Sequence, residues 1–160
     1  MTAKTGYSGW QIALHWATAL LIAANYLVSE GMEEALDARL EGEGVLGGFT
    51  PSFHVWVGTA VLGLVLIRLI IRLVSGAPEA AGDGLADRLA GAAHWLLYAA
   101  MIAVPALGMT AWYLGIDEAA DLHVLVMNAM MILALGHAAM ALVHQFVMRD
   151  GLMTRMLPGR

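Results

Sequence analysis

The sequence predicts an all-α membrane protein, a four-helix transmembrane up-down bundle with both termini in the cytoplasm. Of its 160 residues, 60% are hydrophobic and only 13% are charged, a composition typical of membrane domains. Four segments reach the roughly 20 apolar residues needed to cross a bilayer about 30 Å thick. We therefore expect one transmembrane domain over residues 1–160. The chain lacks basic stretches, so a nucleic-acid partner is not expected.

The predicted spans cover residues 12–28, 53–74, 89–113 and 122–147. The first contains His15, Trp16 and Asn25 and lacks a small-residue cleavage site, so we interpret it as a span rather than a signal peptide. The loop after it can hold a short helix over residues 33–40. A loop rich in Gly and Pro, residues 75–87, separates the second and third spans. Pro105 lies deep in the third span and should kink it, which membrane helices tolerate.

Charge gives the predicted orientation. The loop over residues 30–43 carries six acids and one base, Arg39, and a second loop carries Asp117, Glu118 and Asp121. The opposite side of the predicted bundle holds the other seven basic residues, namely Lys4, Arg68, Arg72, Arg88, Arg149, Arg155 and Arg160. Because Lys and Arg accumulate in cytoplasmic loops, both termini are predicted to lie inside. The net charge of −5 thus conceals an outer face with nine of the thirteen acids.

Histidines are the most informative feature of the spans. Six lie in or beside them: His15, His54, His94, His123, His137 and His144. An imidazole in hydrocarbon needs a partner and is a functional hypothesis by default. Imidazole is also a common iron ligand, and a haem fits between facing helices of a bundle. The chain has no cysteine, so any haem is held non-covalently, as haem b.

Three of these histidines share one face of the last span. His137 follows His123 by fourteen residues, and His144 follows seven residues later. At 100° per residue, these steps return to within about 40° and 20° of the same direction. Fourteen residues rise about 21 Å, which suits two haems stacked across a bilayer, whereas twenty-one rise about 31 Å, the whole hydrocarbon thickness.

Depth then selects partners on the other spans. His54 lies near the outer face and is paired with His123, and His15 lies near the inner face and is paired with His137. We predict these four as the iron ligands of two haems. Two more histidines reach the inner depth and stay open as alternatives there: His94 and His144.

Arginines and glycines support the haem hypothesis. Arg68 and Arg72 follow His54 by fourteen and eighteen residues, so both should face inward at the depth of the inner site. A guanidinium is a bidentate partner for a carboxylate such as a haem propionate. For Arg72, near the end of its span, snorkelling to the cytoplasm is an equal alternative. Gly58 and Gly136, beside predicted ligands, leave room for a macrocycle, although small residues also serve close helix packing.

The motifs, taken in order, resemble the bacterial cytochrome b561 family of membrane-bound di-haem b-type cytochromes. They are ALHW at 13–16, IRL at 67–69 and 71–73, HWLLY at 94–98, PALG at 105–108, GHAA at 136–139, LVH at 142–144, and the tail from RDG at 149–151 to RMLP at 155–158. The resemblance covers nearly the whole chain. It implies a multi-pass protein of the bacterial inner membrane with two bis-histidine haems. It also implies ligands at His15, His54, His123 and His137.

The resemblance further implies one-electron transfer linked to the ubiquinone pool. His94 and His144 match family positions near a quinone pocket, and bonding to haem propionates or to inner-face water is the alternative for both. Some members are superoxide oxidases, but superoxide is an anion and the outer face carries nine acids beside Arg39. That face should instead attract a cationic periplasmic carrier, such as a basic c-type cytochrome.

We therefore expect a di-haem cytochrome that carries electrons between a periplasmic redox partner and ubiquinone. The alternatives are a superoxide oxidase, an anchor subunit that relays electrons for a larger enzyme, and a non-redox proton or metal pathway through the histidines. The expected partners are membrane lipid, ubiquinone, the cationic carrier and, as a further option, a second copy of the chain in a homodimer.

Overall fold

The computed structural model describes residues 6–42, 48–76 and 84–156, and its regular structure is helical throughout these ranges. The helices are α1 (Gly9–Leu27), α2 (Met32–Leu40), α3 (Phe49–Ser75), α4 (Leu85–Leu114) and α5 (Asp117–Val143). A π-helical turn, His144–Met148, continues α5, and a 3₁₀ turn, Met153–Met156, follows.

The predicted spans correspond to α1, α3, α4 and α5. The helices α3, α4 and α5 are each long and apolar enough to cross a membrane, and α1 with α2 forms a fourth candidate, bent by 74° where the two meet. The short helix predicted at 33–40 is α2. Most of the loop predicted at 75–87 lies outside the described residues, and α4 already begins at Leu85. The helix α4 runs on through the buried Pro105.

Polar caps fix where the helices begin and end. Ser8 caps α1 by accepting a hydrogen bond from the Gln11 amide, while the Gln11 side chain accepts one from the Ser8 amide. The Asp87 carboxylate accepts from the Gly84 amide at the start of α4. Gly115 ends α4 with φ +69°, a left-handed conformation that glycine adopts without a Cβ penalty.

The helices pack in the order α1 on α3, α3 on α4, and α4 on α5, with α2 against α3. A small core lies between them, built on Val61, Val65 and Tyr98. Most other large apolar side chains face outward, for example Ile70 on α3 and Ile132 on α5. Such a surface suits a bilayer, where the solvent is as apolar as the core.

Two hydrogen bonds join the end of the bundle at which α1 and α4 begin and α3 and α5 end. The Gln11 side chain donates to the Gly76 carbonyl at 3.2 Å, and Trp16 Nε1 donates to the Met156 carbonyl at 2.9 Å. We call this the basic end. Its described basic side chains are Arg68, Arg72, Arg88, Arg149 and Arg155.

The opposite, acidic end holds α2. There Arg39 Nε donates to the Trp112 carbonyl at 2.8 Å, and the guanidinium lies 5.0 Å from the centre of the Trp112 ring. This contact attaches α2 to the last turn of α4.

Candidate functional site

Two histidines face each other near the acidic end. His54 on α3 and His123 on α5 have ring centroids 6.1 Å apart, with their planes inclined by 72°. His123 Nδ1 lies 2.7 Å from the Val104 carbonyl, which can only accept, so Nδ1 carries the proton and Nε2 is left with a free lone pair. We call these two residues the outer pair, and they are the outer partners predicted from the sequence.

Small and polar residues surround the outer pair. A Cβ at Gly108 would lie 3.0 Å from His123 Nδ1 and Cε1, tighter than most Cβ contacts, so glycine favours the close approach of α4 and α5 here. His54 Nδ1 and Asn25 Oδ1 are buried without a hydrogen-bond partner among the described residues. A Cβ on Gly58 would lie 3.7 Å from Asn25 Nδ2. Buried polar atoms normally find a partner, so this site has unused bonding capacity.

A second group of histidines, the inner cluster, lies toward the basic end and consists of His15, His94 and His137. The rings of His94 and His137 meet edge to face with centroids 5.0 Å apart. His94 Nδ1 donates to the Ala90 carbonyl at 2.7 Å. His15 interacts electrostatically with both other members. The predicted inner partners therefore lie in one cluster, but the ring in contact with His137 is that of His94.

The two arginines of α3 reach from this cluster to α4. Arg68 donates to His15 Nδ1 at 3.0 Å and lies 5.7 Å from the centre of the Tyr98 ring. Arg72 lies over Trp95 at 5.5 Å and over Tyr98 at 5.7 Å. Both guanidiniums thus contact aromatic rings of α4 and can turn toward an anion bound beside the inner cluster.

The last histidine has a different partner. His144 begins the π-helical turn, and its Nδ1 bonds the Asp150 carboxylate at 2.5 Å. This hydrogen bond is the main cause that lowers the pKa of Asp150 below its usual value, with the Leu152 amide adding to it. His144 therefore belongs to a carboxylate pair at the basic end.

The donor sets fit haem. Among the described residues, no three His, Asp or Glu side chains converge as ligands for a bare metal ion. A porphyrin supplies four nitrogens to its iron, so a pair of imidazoles completes the coordination. Gly136 next to His137 faces open space, since a Cβ there would meet nothing within 4 Å.

Sequence reasoning missed three contributors to these sites: Gly108, Asn25 and Asp150. Gly108 was visible only as part of a motif, because the helix approach that requires it depends on tertiary packing. Asn25 lies at the end of α1 with no periodic signal. Asp150 meets His144 only because the chain turns back after the π-helical turn.

Sequence similarity over nearly the whole chain shows the family. The family model described as prokaryotic cytochrome b561 matches residues 6–159. The chain is 48% identical to "Cytochrome b562" of Cereibacter sphaeroides, with all of both chains covered. It is 26% identical to "Probable superoxide oxidase CybB" of Yersinia pestis, over 95% of this chain and 96% of the relative. It is 27% identical to "Cytochrome b561 homolog 1" of Escherichia coli, over 96% and 98%.

A helical membrane bundle with paired intramembrane histidines and a family match over nearly its whole length identifies the protein by class. The chain belongs to the prokaryotic cytochrome b561 family, and it is a multi-pass, b-type haem cytochrome of the bacterial inner membrane that serves electron transfer.

Proposed function

We propose that the protein binds two haems b and carries single electrons between a periplasmic donor and ubiquinone. The outer pair is the observation that carries this proposal. A metal–imidazole bond is about 2 Å long, so two imidazoles on one iron have ring centroids roughly 6 Å apart. The observed 6.1 Å separation of His54 and His123 matches that requirement.

His123 is prepared to act as a ligand. Its Nδ1–H is held by the Val104 carbonyl, which fixes the ring orientation and leaves Nε2 for the metal. Such a hydrogen bond also makes the ligand nitrogen more basic. His54, the other member of the outer pair, has a buried Nδ1 without a hydrogen-bond partner among the described residues.

For the inner site we propose His15 and His137 as ligands, with Arg68 and Arg72 as partners of the propionates. Arg68 now bonds His15 Nδ1, an arrangement that suits a guanidinium able to exchange one acceptor for another. His94 is the alternative ligand, because its ring contacts His137 and its Nδ1–H is already bonded to a carbonyl. Bound haem supplies a reversible one-electron couple whose potential is set by these ligands and their hydrogen bonds.

Ubiquinone is proposed to bind at the basic end. A quinone needs an apolar slot with a few polar groups that exchange protons. Two histidines that can exchange protons lie at or toward that end, His144 and His94, and the exposed apolar Phe146 is two residues from His144. By the positive-inside rule this end faces the cytoplasm.

The donor is proposed to be a cationic periplasmic protein. The acidic end carries Glu33 and Glu34 in the first turn of α2 and Asp117 and Glu118 in that of α5. Arg39, the basic residue of α2, is engaged with Trp112. The alternative, oxidation of superoxide, is favoured by the similarity to the Yersinia pestis relative of that name.

Haem content and epistasis among histidines test the two-site proposal. The purified chain should hold two haems in a pyridine haemochrome assay, and a ratio near one would contradict it. Replacing both members of a pair, as in H54A/H123A, should leave one haem. Replacing one member of each pair, as in H54A/H137A, should leave none. If H94A or H144A removes the inner haem while H15A keeps it, the inner pairing is wrong.

Electron transfer is tested on the same preparation. Dithionite-reduced protein in nanodiscs should be reoxidised by a short-chain ubiquinone without added enzymes. Failure to react with any quinone, at full haem content, would favour the anchor-subunit alternative. Rapid reduction by superoxide that is lost in Arg39→Gln would favour the superoxide oxidase.

A further inference from the structure

The pair formed by His144 and Asp150 lies beyond the proposed haem ligands, at the basic end of the bundle. Their side chains are 25% and 35% exposed, so both can exchange protons with water at that face. The two residues are six apart in sequence, a spacing that places them on different sides of a regular α-helix. A specific backbone path is therefore needed to bring them together.

That path is built by the end of α5. The π-helical turn over His144–Met148 widens the helix, and Arg149 then adopts φ +54°, an uncommon left-handed conformation for a residue other than glycine. The Asp150 amide returns to the His144 carbonyl at 3.4 Å. π-Helical turns occur frequently at functional sites.

The Asp150 carboxylate is held by both of its oxygens. Oδ2 accepts from His144 Nδ1, and Oδ1 accepts from the Leu152 amide at 2.9 Å. The carboxylate lacks a proton to donate when ionised, so His144 Nδ1 carries the proton and Nε2 is the free ring nitrogen. The lowered pKa of Asp150 keeps this carboxylate ionised at neutral pH.

We propose that Asp150 is a positioning residue that makes His144 the proton donor and acceptor for ubiquinone. The inference rests on the proposed function, which places ubiquinone at the basic end. An aspartate that holds Nδ1–H fixes the imidazole orientation and stabilises the imidazolium ion, as in catalytic triads. Imidazole suits the task because its charge changes near neutral pH.

The step balances in protons and electrons. The cationic His144 gives up its Nε2 proton to a quinone oxygen, so an N–H bond breaks and an O–H bond forms. Haem, when bound at the inner cluster, would supply one electron for each such proton. His144 is left neutral, with its Nδ1–H still hydrogen-bonded to the Asp150 carboxylate. It then takes a new proton on Nε2 from water at the basic end. Two rounds convert the quinone to the quinol, and quinol oxidation runs the same transfers backwards.

The first test is kinetic. Asp150→Asn is nearly isosteric, but its amide can donate to Nδ1 and favour the wrong tautomer. Reoxidation of the reduced protein by a short-chain ubiquinone should slow by about 100-fold in kcat, the low end of general acid–base effects, with KM unchanged. The control is Asp87→Asn, which neutralises another carboxylate at the basic end that bonds a backbone amide, and it should react normally.

A double-mutant cycle separates the role of Asp150 from general damage. His144→Gln alone should slow reoxidation as much as Asp150→Asn, and the two changes together should slow it no further, because they act as one unit. Full additivity of the two effects would overturn the proposal. So would an unchanged rate in either single variant.

The second test does not require quinone activity. Nitrogen NMR of the ¹⁵N-histidine-labelled holoprotein should show His144, assigned by its loss in His144→Gln, protonated at Nδ1. In Asp150→Asn the proton should move to Nε2. Nε2 protonation in the unsubstituted protein would overturn the inference. If the tautomer is as expected but the unsubstituted protein reacts with no quinone, the proposed function fails, and with it the role of the pair in quinone chemistry, while the pairing itself stands.

Discussion

At the scale of single residues, the outer pair depends on the absence of a Cβ atom at one position of α4. Gly108 has no Cβ, and this lets the His123 ring lie against α4 and reach the Val104 carbonyl. The sequence predicts His123 as a ligand through its spacing along α5. It does not identify Gly108, because the need for glycine arises only when two helices have packed.

Gly108→Ala should therefore damage the outer site. The added methyl group would lie 3.0 Å from the His123 ring, so the ring would have to shift by a few tenths of an ångström and its bond to the Val104 carbonyl would be strained. We expect the variant to lose or weaken one of the two proposed haems in the pyridine haemochrome assay. Gly63→Ala on α3 is the control, since a Cβ there meets nothing within 4 Å and its haem content should be normal. Full haem content in Gly108→Ala would show that His123 does not need this position.

The pairing of histidines shows where residue-level prediction stops. Depth along the spans is sufficient to place His54 opposite His123 and to gather His15 and His137 at one level. It cannot decide among three imidazoles at the same level, because that choice depends on helix rotation and side-chain rotamers. The contact between the His94 and His137 rings is therefore seen only in the structure.

At the scale of elements, the hydropathy of the sequence predicts the long helices but not the π-helical turn or the tail that follows it. Three apolar segments of span length give α3, α4 and α5, and a fourth gives α1, which is a candidate span together with the short α2. The π-helical turn and the return of the tail could not be predicted, since they depend on particular side-chain contacts that the hydropathy pattern does not contain. One of them is the bond from Trp16 to the Met156 carbonyl, which joins residues 140 positions apart.

Trp16→Phe tests that attachment. Phenylalanine keeps an aromatic ring beside His15 but cannot donate a hydrogen bond, so the tail should lose about 1 kcal/mol of local stability. Amide hydrogen exchange over residues 152–156 should quicken by about fivefold, which that free energy corresponds to. Trp10→Phe is the matched control, because Trp10 is 78% exposed and should not affect exchange in the tail. Equal exchange in both variants would mean that other contacts hold the tail.

At the scale of the whole molecule, charge divides the bundle into two functional ends. Arginines collect where α3 and α5 end, and acids collect on α2 and at the start of α5. This division can be predicted from the sequence, because the positions of charged residues along the chain do not depend on how the helices pack. It assigns the quinone and the protein donor to opposite ends of the proposed electron path.

The acidic end should make docking of a cationic donor sensitive to salt. Charges at a surface interact over a Debye length of about 8 Å at physiological ionic strength. Reduction by a basic c-type cytochrome should slow by about tenfold or more as salt rises, the effect expected when electrostatic steering is lost. Replacing Glu33, Glu34 and Glu41 by Gln should slow it at low salt and flatten the salt dependence. Asp87→Asn, at the basic end, should leave both unchanged, and a rate independent of ionic strength would exclude electrostatic docking.

The continuity of α5 carries a mechanical consequence. It contributes one predicted ligand to each site, His123 and His137, on a single rigid rod with about 21 Å of rise between them. Movement of α1 or α3 would displace one predicted ligand of a site, whereas the spacing between His123 and His137 is set within α5 alone. Tilting of the rod in a thinner or thicker bilayer would carry both centres together. If both proposed haems bind as inferred, α5 sets the distance between their ligands, and the rate of electron transfer between them should be insensitive to bilayer thickness.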